Sequence, residues 1–163
     1  MKKLNLIFQS KIKIFKLVNT ILFKQNKLIS ILIGTILTLI ISLLLAYLRS
    51  FFPCVTNANS EGINARIDAN ILNIVTPLLL APIIEEYIFR KWLPNVFQDI
   101  LGRKKSIVLS NIIFSILHLD LYFFPYLANG LIYSLYYERT RDIKVPIIMH
   151  ISYNVMVFLA TFS

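Results

Sequence analysis

Six side chains able to do acid–base or hydrogen-bonding chemistry stand inside otherwise apolar stretches of this chain. Glu85, Glu86 and Arg90 lie in EEYIFR, His118 ends FSILH, and His150 and Asn154 bracket HISYN. The two histidines are the only ones in 163 residues. An ionisable group at bilayer depth is costly unless paired or wet, so it marks function by default. Spacing divides the roles. Glu86 and Arg90, four apart on a helix, face each other and can pair. Glu85 points about 100° away and is free for other work. Phe114 and His118 share one helix face, and His150 and Asn154 share another. Amide hydrolysis needs a base for water and donors for the oxyanion. Glu85 suits the base, His118 can share the water, and His150 and Asn154 can donate. The same residues read equally as metal ligands. Two histidines and a glutamate with an open fourth position form a zinc-hydrolase set, here Glu85, His118 and His150. Singly, each residue has a structural reading: a satisfied core histidine, a helix staple, an amide gluing two helices. Three helices each presenting such a face are not explained that way.

The elements that must hold these groups are membrane helices. The chain is 57% apolar and only 15% charged. Soluble domains are nearer half apolar and about a quarter charged. An ordinary soluble enzyme, a disordered chain and a disulfide scaffold are therefore excluded, the last because Cys54 is the only cysteine. Residues 28–48 run without a charge for 21 positions, the length a bilayer core needs. Four further apolar segments follow at 70–91, 106–123, 125–138 and 145–162. The first of these should bend or loosen at Pro77 and Pro82, which membrane helices tolerate. Residues 49–68 read as a polar loop and 92–105 as a loop or interfacial piece. The expected fold is all-α, a polytopic membrane bundle of about five transmembrane helices. At about 1.5 Å per residue, Glu85 lies roughly 9 Å from residue 91 and His118 roughly 18 Å from residue 106. They meet only if the third span starts later or tilts, or if the helix 70–91 runs on toward Phe97.

The formal charge of +9 is a tail, not a nucleic-acid surface. Residues 1–27 carry seven lysines and no acid, and one side of their helical wheel holds Leu4, Phe8, Phe15, Val18 and Leu22. A basic amphipathic segment on an anionic leaflet fits, as does a tail that merely sets topology. With the N-terminus in the cytoplasm, 15 Lys and Arg fall inside and two, Arg49 and Arg66, outside. That satisfies the positive-inside rule and predicts a multi-pass protein of the cell membrane.

These residues resemble the CPBP intramembrane proteases, also called the Abi or CAAX-protease family. EEYIFR matches its EExxxR motif, Phe114 to His118 its FxxxH and His150 to Asn154 its HxxxN. Gly130 and Ser134 followed by Arg139-Thr140 look like its looser motif of small residues before an RT turn. Order and spacing agree over about 71–160 and not before. This divides the chain into a basic segment 1–27, a first span and outer loop 28–70, and a protease-like unit 71–163. The resemblance implies catalytic Glu85, His118, His150 and Asn154, supported by Glu86, Arg90 and Phe114, near the cytoplasmic face. It implies a peptide or prenylated substrate met at the membrane lipid, with either one zinc ion or a metal-free mechanism. The rival readings are a non-catalytic bacteriocin-immunity or scaffold protein of the same fold and, less well matched to the polar faces, a small proton-coupled transporter.

Overall fold

The computed structural model describes Lys13, residues 26–51 and residues 58–162. Apart from Lys13, Asn26 and Lys27, the expected basic amphipathic segment lies outside the described residues. Regular structure among them is entirely helical, in six helices. α1 is Lys27–Arg49, α2 Ala58–Ala69, α3 Ile71–Leu101, α4 Arg103–Ile116, α5 Phe124–Thr140 and α6 Lys144–Phe162.

α1 begins where the charges end. Asn26 takes the Leu28 amide at 3.3 Å and caps it. Ser30, Gly34, Thr35 and Thr38 are buried while Leu28, Leu32, Ile36, Ile40 and Leu43 are exposed. That is a soluble helix turned inside out. Lipid offers leucine as good a home as protein does, so the small residues face the neighbours and let backbones approach. Gly34 is the point of closest approach: a Cβ there would sit 2.4 Å from Met149 Cε of α6.

α3 is longer than the sequence predicts. It runs to Leu101, so the expected loop at 92–105 is mostly helix. The path loosens as the prolines require, with wide π turns at Thr76–Leu80 and Tyr87–Trp92. It stops at Gly102, whose φ of 74° suits glycine, and α4 folds back from there. α4 ends at Ile116 rather than continuing to 123, because Leu119 adopts a left-handed φ of 56°. The polar stretch 49–68, expected as loop, contains the helix α2. Its amide at Asn59 is bonded at 2.9 Å by Asp120 Oδ1, a cap supplied from 61 residues away that no local pattern announces. Five of the six helices are the expected apolar segments. Three of them, α1, α3 and Lys144–Thr161 of α6, are long and apolar enough to cross a membrane. α4 and α5 have 14 and 17 residues.

The basic turns gather at one end of the bundle. Lys27 at the start of α1 pairs with Asp142 of the α5–α6 turn at 2.7 Å. Arg103, just after the α3–α4 turn, pairs with Glu138 near the end of α5. At the opposite end lie α2, the turn 117–123 and the close of α1, where Tyr122 donates to the Leu45 carbonyl at 2.8 Å.

Candidate functional site

The centre of the bundle holds a buried ion pair. Arg90 donates from Nε to Glu86 Oε2 at 2.8 Å and from Nη2 to Oε1 at 3.3 Å, so the pairing expected from the four-residue spacing is present. Neither side chain is reached by solvent. Such a pair survives only if its remaining donors and lone pairs are also met. Arg90 Nη1 donates to Asn111 Oδ1 of α4 at 2.7 Å, and the Phe114 ring lies 4.6 Å from the guanidinium carbon. Asn111 in turn donates to Ser134 of α5 at 2.9 Å. Gly130 makes room: a Cβ there would meet Asn111 Oδ1 at 2.4 Å. The small residues noted at 130 and 134 are thus the α5 face on which this network rests.

Glu86 also reaches α6. His150 donates Nδ1–H to Glu86 Oε1 at 3.0 Å, and Tyr133 stacks on the imidazole with centroids 5.0 Å apart. The carboxylate that pairs Arg90 therefore also fixes the tautomer and tilt of a histidine. Glu85 is different. Its side chain is 27% exposed against 0% for Glu86, and Oε2 stands 3.9 Å from His150 Nε2. One glutamate is spent on structure and the next is wet.

His118 sits just beyond α4. Its Nδ1 must carry the proton, because its partner at 2.8 Å is the Phe114 carbonyl, which can only accept. Nε2 of the neutral ring is then left with a free lone pair. The depth difficulty disappears with α3 extended. Glu85 is about 24 Å from Leu101 and His118 about 22 Å from Arg103, at about 1.5 Å per residue from a shared turn. Both line one cavity of about 840 Å³ together with His150 and Asn154.

Asn154 has a task the sequence did not disclose. Ala81 bonds back to the Thr76 carbonyl in the π turn, so the Pro77 carbonyl would next be met by residue 82. That residue is proline and has no N–H. Asn154 Nδ2 supplies the missing donor at 2.9 Å. One of its two amide hydrogens is committed to α3, and the other stays available to the cavity it lines.

Four residues outside the expected set complete the site. Asn111 and Tyr133 are described above. Tyr126 stacks on His118 with centroids 4.0 Å apart, and its hydroxyl donates to Asp120, the carboxylate that caps α2. The only sequence signal for these was polarity in apolar stretches, strongest at Asn111.

The walls of the cavity come from Leu39 to Ala46 of α1, Asn59 to Ile67 of α2, Asn73 to Phe89 of α3 and Pro125 to Tyr133 of α5. Phe114 and His118 at the end of α4 and His150 to Thr161 of α6 complete the lining. Beside the cavity Arg90, Asn111, Tyr136, Val145 and Met149 are all buried. Among the described residues no three His, Cys, Asp or Glu are grouped to hold a metal ion.

The type II CAAX prenyl endopeptidase Rce1-like family matches this chain over residues 67–156. The membrane-embedded CAAX protease MroQ of Staphylococcus aureus (strain USA300) is 36% identical over 83 residues, 47% of this chain and 34% of that protein. YdiL of Bacillus subtilis (strain 168), provisionally named a membrane peptidase, is 33% identical over 102 residues, 62% of this chain and 42% of YdiL. The UPF0177 protein YbdI of Lactococcus lactis subsp. lactis (strain IL1403) is 30% identical over 119 residues, 69% of this chain and 64% of YbdI. The chain thus spans less than half the length of the first two relatives. No solved structure matches it significantly.

Proposed function

Because this chain belongs to the type II CAAX prenyl endopeptidase Rce1-like family of membrane proteins, we propose that it is an intramembrane peptidase acting on a membrane-associated or lipidated peptide. The observation that carries this reading is the contrast between adjacent carboxylates: Glu86 fully buried and consumed, Glu85 27% exposed to a cavity it shares with both histidines. In this mechanism Glu85 takes a proton from a water that His118 Nε2 also holds. The water oxygen attacks the peptide carbonyl, and Glu85 returns the proton to the leaving amine. His150 lies between two carboxylates, bonded to Glu86 through Nδ1. The second amide hydrogen of Asn154 is offered to the forming oxyanion, beside the His150 ring that Glu86 holds in place. Leu39, Leu43, Val157 and Phe158 give the cavity the apolar wall that a lipidated or hydrophobic peptide requires.

The test uses purified protein in liposomes with a farnesylated, quenched-fluorescent peptide. Glu85→Gln should reduce cleavage by about 10²–10⁴-fold, the usual worth of a general base, with protein yield unchanged. Full activity in that variant refutes the role. A parent that binds the peptide without cutting it would instead support the scaffold reading. Chelation decides the zinc question: lost cleavage restored by zinc assigns a metal, and unchanged cleavage leaves the side chains as the whole machinery.

A further inference from the structure

The α5 face that walls the cavity carries one more polar group than the proposed chemistry uses. Tyr126, Asn129 and Tyr133 stand three and then four residues apart, so they form one stripe down the helix. The two outer rings are taken up by the histidines. Tyr126 stacks on His118 with centroids 4.0 Å apart, and Tyr133 stacks on His150 at 5.0 Å. Asn129 lies between them and lines the same cavity, yet it is only 6% exposed. Ser42 of α1 donates its hydroxyl to Asn129 Oδ1 at 3.1 Å, which fixes the orientation of the amide. Nδ2 has no partner among the described residues and is not sealed from solvent. An amide donor left unpaired at bilayer depth is costly. The group that meets Nδ2 is whatever fills the cavity.

We propose that Asn129 is a substrate-binding residue whose Nδ2–H holds a backbone carbonyl of the peptide beside the bond that is cut. With Oδ1 occupied by Ser42, the amide presents donors, so the group it selects is an acceptor. A peptide lying against the apolar wall of the cavity offers its carbonyls, and these must be met once water is excluded. The register follows from the stripe. At about 1.5 Å per residue of helix, Asn129 is roughly 4–6 Å along α5 from each tyrosine. An extended peptide advances about 3.3 Å per residue. The carbonyl held is therefore within about two residues of the one attacked between His118 and His150. The peptide is bound unwound at this point, since the carbonyls of a helix are already bonded within it.

The inference rests on the peptidase reading, and the experiment separates the two. The full chain in detergent is given the farnesylated quenched peptide, whose cut is located by mass spectrometry of the products. It is also given copies of that peptide, each with one carbonyl near the cut, other than the one attacked, changed to a thioamide, a weaker acceptor. Asn129→Leu removes the donor. Asn129→Asp keeps the shape and an oxygen for Ser42 but puts an acceptor in place of Nδ2. Both variants should lower kcat/KM for the unmodified peptide by about 2–10-fold, the worth of one neutral hydrogen bond. One thioamide position should cost the parent a similar factor and cost the variants nothing further. Melting is measured alongside, and where Asn129→Leu does not fold, Asn129→Asp decides alone. Unchanged kcat/KM, or variants that lose as much as the parent from every thioamide, overturns the proposal. A parent that cuts no peptide removes the peptidase reading, and the contact is then read from binding of the labelled peptide by fluorescence anisotropy. There the variants should bind about 2–10-fold more weakly, with the same thioamide dependence. Equal affinity, or no binding by the parent, overturns the proposal.

Discussion

Replacing Arg90 by alanine should unfold this protein more readily than any other single change in the site. The side chain makes three hydrogen bonds, two to Glu86 and one to Asn111, and neither it nor Glu86 touches solvent. Without it, Glu86 keeps only the His150 N–H, and Asn111 Oδ1 loses its donor. Leaving one partner of a buried pair uncompensated costs about 3–5 kcal/mol. For a chain of this length each kcal/mol moves the melting temperature by about 2–4 °C, so Tm should fall by roughly 6–20 °C. The companion is the double variant Arg90→Met with Glu86→Gln. It removes both charges, and replacing both partners is far cheaper than orphaning one. Its Tm should recover to within about 1–2 kcal/mol of the parent's stability, on the scale of one neutral hydrogen bond. Activity should stay lost in the double variant, because His150 there no longer has a carboxylate on Nδ1 to fix its tautomer. The assay is thermal unfolding in detergent followed by intrinsic fluorescence, with cleavage measured alongside. An Arg90→Ala protein as heat-resistant as the parent would refute the argument, as would a double variant no better than the single.

Three further outcomes follow from the contacts. Asn154→Leu should cost about 1–3 kcal/mol by orphaning the Pro77 carbonyl, and adding Pro82→Ala, which restores an N–H at that position, should recover part of the loss; equal melting of the single and double variants would contradict this. With only two histidines in the chain, histidine-selective NMR reports each ring: Tyr126→Leu should shift His118 and not His150, and Tyr126→Phe should keep the His118 signal yet speed amide exchange in α2. The Lys27 ammonium and the Lys144 amide hold the Asp142 carboxyl below its ordinary value. A depressed native pKa stabilises above the unfolded value of about 4 and is lost as pH falls through the native one. The stability lost in Asp142→Asn should accordingly be visible at pH 7 and vanish in strong acid, and a pH-independent difference would rule the pairing out.

The residue types and their intervals were enough to point to the family. Four-residue spacing placed Arg90 on Glu86, and uncharged runs located five of the six helices. Both are local properties: a helix repeat and a bilayer thickness decide them without reference to the rest of the fold. The functional division between Glu85 and Glu86 was partly local too, since adjacent residues must point different ways. What no local rule could supply is what lies across from each group. Asn111, Tyr126 and Tyr133 became part of the site only because α4 and α5 pack against α3 and α6, and α2 is a helix because Asp120 reaches it from 61 positions away. Asn154, an oxyanion donor by the motif, also satisfies the Pro77 carbonyl that Pro82, five residues on, has no N–H to meet. Which side chains wall the cavity was decided by tertiary structure alone. The sequence locates charges along the chain and assigns turns to a side. Only packing determines where the bundle is filled by large side chains and where it is left open, because a void is the sum of many side chains from different helices.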